Sequence, residues 1–138
     1  MQVIAASDMQ LREDAEGHFT GYVQQQQMLK APSPTISVLC VFFAPGARTH
    51  WHSHPEGQIL YVVSGRGRCG SAPEAGGQVR GIGPGDVVHF DKHELHWHGA
   101  APDCFITHLA VTPHATSEAD KWYQQVTDGE YNLRQNSS

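Results

Sequence analysis

The chain has 138 residues, 39% hydrophobic and 17% charged, which suits a single globular domain with a real core. Fourteen acidic against nine basic residues give a net charge of −5, and no Lys/Arg run occurs, which excludes the electrostatic footprint of a nucleic-acid or anionic-membrane binder. No 18-residue apolar stretch exists and residues 1–8 carry no basic leader with an apolar core, so a cytoplasmic protein is expected.

Taken in chain order, most of the sequence predicts short strands punctuated by Gly and Pro. Residues 19–23 open the series, and Gln24–Gln27 reads as an exposed strand end. Apolar runs follow at 36–43, 59–63, 86–90 and 104–111, separated by breaks such as Ala31-Pro32-Ser33-Pro34, Ala44-Pro45-Gly46 and Gly83-Pro84-Gly85. Even spacing without long helical patterns argues for an all-β antiparallel sandwich or barrel. Runs that are apolar at successive positions predict strands covered on both faces. Ser117-Glu118-Ala119-Asp120, resembling a capping box and followed by Lys121-Trp122-Tyr123, predicts a helix. A second short turn is expected at Thr127–Tyr131, and the polar tail 134–138 is expected to fray. Cys40, Cys69 and Cys104 are odd in number and lack a C-x-x-C, so they read as reduced thiols, with Cys40 and Cys104 as core filler.

The histidines carry the chemistry. Seven of ten lie between positions 50 and 98, six of them in two clusters: His50-Trp51-His52-Ser53-His54 and His93-Glu94-Leu95-His96-Trp97-His98. Alternate residues of a strand share a face, so His52 and His54 can offer two ring nitrogens to one ion. Pro55-Glu56-Gly57 then turns the chain and Gln58 opens the next strand.

Gly46, His52, His54, Gln58 and Gly65 reproduce the spacing G-x5-H-x-H-x3-E-x6-G, with Gln58 at the glutamate position. A second pattern, G-x5-P-x-G-x2-H-x3-N, falls on Gly85, Asp91, His93, His96 and Ala100, where only the glycine and the histidine are kept. These two motifs resemble those of the cupins. Further stretches shared with one subgroup are Pro45–Thr49, Gly83–Val88, His96–Pro102, Thr107–Ala110 and an ending with Trp122, Val126-Thr127-Asp128 and Tyr131. That subgroup contains bacterial cupin-type hydroxynitrile lyases and cupins associated with carboxymuconolactone decarboxylases.

The resemblance implies a cupin fold, a double-stranded β-helix or jelly-roll-like barrel, with one or two short C-terminal helices. It implies one domain over 1–138: a barrel over about 18–112, a helical extension at 113–133 and the tail. One divalent metal ion per chain is implied, with manganese favoured over iron, nickel or zinc. Its ligands would be His52, His54, Gln58 and His96, and the apolar pocket around it would include Leu39, Val41, Leu60 and Ile106. His108, with His98 as partner or substitute, is the implied proton-handling residue. Metal-dependent cleavage of a cyanohydrin is the implied activity, on a small-molecule substrate. An Fe(II) dioxygenase and a non-catalytic small-molecule-binding cupin are the alternatives. Cupins commonly self-associate, so a homo-oligomer, dimer or tetramer, is the expected assembly.

Several residues read two ways on sequence alone. Gln58 is either a ligand or a hydrogen bonder behind it, with Glu56 or water completing the shell. His50 is either at the barrel mouth or a fifth ligand. His98 and His108 are either reactive or structural, and His89 and His93 read as structural or exposed. Trp51 and Trp97 are expected on the outer side of the sheet. A neutral amide in place of glutamate leaves more positive charge on an ion, which suits Lewis-acid work on an oxygen.

Overall fold

Strand alternation decides which side chains meet the interior. The computed structural model describes residues 1–12, 14, 17–29, 35–75, 77–114 and 118–133, so the break at 31–34, Ser117 and the tail lie outside the described residues. Thirteen strands are present: β1 (Gln10–Arg12), β2 (Phe19–Thr20), β3 (Val23–Leu29), β4 (Ile36–Phe43), β5 (Arg48–Thr49), β6 (His52–Ser53), β7 (Gln58–Gly65), β8 (Gly67–Ser71), β9 (Val79–Ile82), β10 (Val87–Phe90), β11 (His96–Ala100), β12 (Ile106–Pro113) and β13 (Lys121–Trp122). One short helix, α1 (Asp128–Tyr131), follows.

Six strands form one antiparallel sheet in the order β1-β3-β4-β12-β7-β10. In the second sheet, β11 stands between β8–β9 and the broken pair β5 and β6, with β2 and β13 outside. On β12, Ile106, His108, Ala110 and Thr112 point inward, and on β7 Gln58, Leu60 and Val62 do the same. Val41, Phe43, Val62, Ala100 and Ile106 form one apolar cluster between the sheets, and Leu60, Cys69, Phe90 and Ala110 another. The expectation of cover on both faces fails for β7, where Ile59, Tyr61 and Val63 stand 42%, 45% and 48% exposed.

β11 is buried along its whole length because both of its faces are covered. His96, His98 and Ala100 face inward, while Trp97 packs outside with Trp51, Val79, Val126 and Tyr131. This is the outer packing expected for the two tryptophans. Helix α1 is held there by the reciprocal capping box of Thr127 and Glu130, and Tyr131 donates its hydroxyl to the Ala100 carbonyl at 2.5 Å. Thr127→Ala is expected to lower stability by about 1 kcal/mol, the usual cost of an N-cap, read by denaturant titration. An unchanged midpoint would show that the tertiary contacts of Tyr131 hold the turn without its cap.

The helix expected from Ser117 through Tyr123 is not formed among the described residues of that stretch. Lys121 and Trp122 instead make β13, paired with Ser53 and His52. Tyr123 N–H donates to Trp51 O at 2.9 Å and Trp51 N–H to Gln124 O at 3.0 Å. A capping signal contributes only about 1 kcal/mol, and the ladder to β6, with the Trp122 ring stacked on His52, outweighs it. The cysteine expectation is also adjusted: Cys69 is the buried thiol, whereas Cys40 and Cys104 are half-buried, and all three are free.

Candidate metal centre

Three features of local chain geometry bring the two histidine clusters together. His52 on β6 lies directly opposite His96 on β11, so two imidazoles from distant segments become cross-strand neighbours. Two residues on, the chain turns through His54-Pro55-Glu56-Gly57, closed by Gly57 N–H donating to His54 O at 3.1 Å. Gly57 has φ +78°, and a Cβ there would stand 2.5 Å from the Phe90 carbonyl oxygen, so only glycine lets the chain reverse this close to β10. Gln58 then enters β7 pointing inward.

The four side chains are each anchored from behind. His52 Nδ1 lies 3.0 Å from His50 O, His96 Nδ1 2.8 Å from Glu94 O, and His54 Nδ1 2.9 Å from Asp120 Oδ1. The two carbonyls can only accept, so Nδ1 of His52 and of His96 carries the proton and Nε2 keeps a free lone pair, and the Asp120 carboxylate favours the same tautomer of His54. The side-chain amide of Gln58 donates to Thr112 Oγ1 at 3.2 Å, which aims Oε1 at His96 Nε2, also 3.2 Å away. Two lone pairs facing each other inside a protein need a cation between or beside them.

Ligand atoms of His52, His54 and His96 all lie within 4.8 Å of one another, and all three residues are buried. The donor set of imidazoles and an amide oxygen fits a divalent transition metal. His50 contributes its backbone carbonyl, not its ring. Glu56 pairs with Lys92 at 3.3 Å, as a turn residue does, and His89 and His93 are exposed.

Burial holds the interior histidines neutral. It is the main cause that pushes His52 well below its ordinary value, helped by the neighbouring His96 and His54. His96 is pushed down to about 3 by burial, against the pull of the Glu94 carbonyl. His108 is lowered to about 4, again by burial, and His98 falls well below 6.5 through burial and then the charge of His108. Burial alone would raise the Asp120 carboxyl, but the hydrogen bond and charge of His54 outweigh it and hold it low.

The sign for folding follows from these shifts. Unfolded histidines take up protons near pH 6.5, whereas the folded chain refuses them until about pH 4 at His108 and about pH 3 at His96. The unfolded state therefore binds more protons in that window, and stability is full above pH 6.5 and falls as pH drops through it. Thermal melts of chelator-treated protein should show a flat Tm from pH 7 to 8 and a steep decline from pH 6 to 4. A level Tm across pH 4–7 would contradict the buried neutral histidines.

A cavity of about 620 Å³ opens beside the cluster. His52, His54, Gln58 and His98 line it, with Leu39, Val41, Phe43 and Ala110 as its apolar wall. Leu60 and Ile106, expected in this wall, do not line the cavity; both are fully buried in the apolar clusters that back it. Both point inward as the resemblance implied, but their neighbours there are packed core.

The two further histidines are also ordered by depth. His98 faces the cavity, and its Nε2 has no protein partner; His108 lies behind, its Nε2 3.0 Å from His98 Nδ1. The residue expected to meet substrate, His108, thus reaches the cavity only through His98.

Other lining residues escaped the sequence reading. Gln25 and Gln27, taken as an exposed strand end, line the cavity, and Gln25 is buried. Thr112 shares the inward face of His108 and Ala110, so period-two counting had the means to find it. Asp120, Trp122 and His114 carried no such signal.

Comparison with known proteins agrees with this architecture. The cupin domain family matches residues 40–104. An (R)-mandelonitrile lyase of Granulicella tundricola is 47% identical over 114 residues, covering 82% of this chain and 85% of that protein. Among solved structures, a cupin-like protein from Thermotoga maritima is 36% identical with a TM-score of 0.81, covering 90% of this chain and 92% of its own. The polyketide cyclase RemF from Streptomyces resistomycificus, 17% identical, shares the fold with a TM-score of 0.72 over 95% of this chain and 90% of its own.

Proposed function

The chain belongs to the cupin family, and on that footing we propose that it is a metal-dependent lyase that cleaves cyanohydrins to a carbonyl compound and hydrogen cyanide, or joins them in reverse. The observation that carries this reading is the convergence of ring nitrogens of His52, His54 and His96 with Gln58 Oε1, beside a cavity that the unpartnered imidazole nitrogen His98 Nε2 faces. The named activity of the Granulicella relative supports it.

His52, His54, Gln58 and His96 would hold the ion, with manganese(II) the proposed occupant. A divalent ion there supplies Lewis acidity, lowering the pKa of a hydroxyl in contact with it. No ligand of this set is anionic, so the ion's charge is left for that purpose.

The remaining work falls to the chain's own groups. Leu39, Val41, Phe43 and Ala110 receive the apolar substituent of the substrate and exclude water around it. His98, kept neutral by burial, takes the hydroxyl proton on Nε2. As that O–H bond breaks, the oxygen electrons form the carbonyl double bond and the C–C bond pair leaves with cyanide. The same proton then passes from His98 Nε2 to cyanide, giving hydrogen cyanide. His108 Nε2 would accept from His98 Nδ1–H, which leaves His98 Nε2 free for the substrate proton and holds the ring in register throughout.

Purified protein loaded with Mn(II) is expected to release cyanide from mandelonitrile without taking up dioxygen. Oxygen uptake by the Fe(II)-loaded protein, with no cyanide release under any metal, would replace the lyase reading with a dioxygenase.

A further inference from the structure

Asp120 stands 66 positions from His54 in the chain, yet its carboxylate Oδ1 lies 2.9 Å from His54 Nδ1. Two residues on, the Trp122 ring lies flat on the His52 imidazole, centroids 4.4 Å apart and planes 16° from parallel. The opposite face of Trp122 is covered by His18, 3.9 Å away and 6° from parallel, so the indole is clamped between two rings. The backbone of this segment is paired to β6, Trp122 opposite His52 and Lys121 opposite Ser53.

Both outer contacts thus arrive from one three-residue segment, Asp120 just ahead of β13 and Trp122 within it. We infer that residues 120–122 form a strap that sets the metal site from outside the barrel motifs, Asp120 fixing the Nε2-presenting tautomer of His54 and Trp122 fixing the ring plane of His52. The inference rests on the metal-centre reading and adds to it two positioning residues.

Charge gives the strap a second task. The four proposed donors are neutral, so a divalent ion brings two uncompensated charges into a buried pocket. Among the described residues that pair with a proposed ligand, Asp120 is the one carboxylate, and its negative charge stands 2.9 Å behind the His54 ring, on the Nδ1 side away from the donor nitrogen. A carboxylate behind a ligating histidine also makes its Nε2 a stronger donor. The positions behind His52 and His96 are backbone carbonyls, which supply no net charge.

The test uses Mn(II) alone as probe, with free ion counted by its paramagnetic resonance signal, and ¹⁵N NMR of the histidine rings in metal-free protein. Asp120→Ala is expected to weaken Mn(II) binding by about 10–100-fold and to release His54 from a single Nδ1–H tautomer into a mixture. Trp122→Leu is expected to weaken binding by about tenfold, while Lys121→Ala, on the exposed face of the strap, leaves it unchanged. Asp120→Asn keeps an acceptor but no charge, so its affinity should fall between wild type and Asp120→Ala, and it serves if the alanine variant does not fold. Wild-type Mn(II) affinity in both Asp120 variants would overturn the strap. Failure of the wild-type protein to bind Mn(II) would instead strike the metal-centre reading. The His54 tautomer would then decide the strap alone, retained if Asp120→Ala alters it and rejected if it does not.

Discussion

His96→Ala is expected to remain folded, to lose nearly all bound metal and to reduce cyanide release to background. His96 is the donor where the two clusters meet: it lies opposite His52 in the β6–β11 ladder and its Nε2 is 3.2 Å from Gln58 Oε1. Its ring is stacked on Phe90 with centroids 3.7 Å apart, so removal leaves both a missing donor and a space that water enters. Three-donor remnants bind divalent ions far more weakly than the full set. His52→Ala and His54→Ala should behave alike, whereas Gln58→Ala should lose less, since a neutral amide is the poorest donor of the four. Elemental analysis of protein purified without added metal reads the result. Full occupancy in His96→Ala would remove the basis of the site.

His98→Ala is expected to retain its metal and its fold but to lower turnover by ~10²–10⁴-fold, the usual contribution of a positioned general base. The residue faces the cavity and supplies no donor to the cluster, so binding and catalysis separate at this position. His108→Ala should also keep its metal and lose turnover, by a smaller factor, because it acts through His98 Nδ1. Its pH–rate profile should shift as well, which a packing defect would not produce. Wild-type turnover per folded molecule in His98→Ala would leave the proton without a carrier in the proposed mechanism. A larger loss in His108→Ala than in His98→Ala would reverse the order read from the cavity.

The sequence by itself determined those features that depend on near neighbours in the chain. A spacing of two from His52 to His54 and of four across the Gly57 turn to Gln58 brought the three to one place, because such distances are set by backbone geometry alone. His96 entered through its motif, and the short turn expected at Thr127–Tyr131 formed as α1, because both bonds of its Thr127–Glu130 cap close within one turn. On β12 the parity of His108 with Ile106 and Ala110 put all three on the inward face, whereas the one-sided burial of β7 was not legible in its continuous apolar run.

Depth along the barrel was left to the tertiary structure. Parity gives the side of a sheet on which a residue lies, not whether its neighbours there are cavity or core. Leu60 and Ile106 therefore became core, Gln25 and Gln27 became lining, and His98 came to stand in front of His108. The 118–124 stretch shows the same limit most sharply. Its local pattern favoured a helix, yet the energy that decides it comes from β6 and the His52 ring, partners 66 or more positions away. Only the closed fold, where one edge of the second sheet recruits β13, could reveal that Asp120 and Trp122 stand behind two of the four proposed ligands.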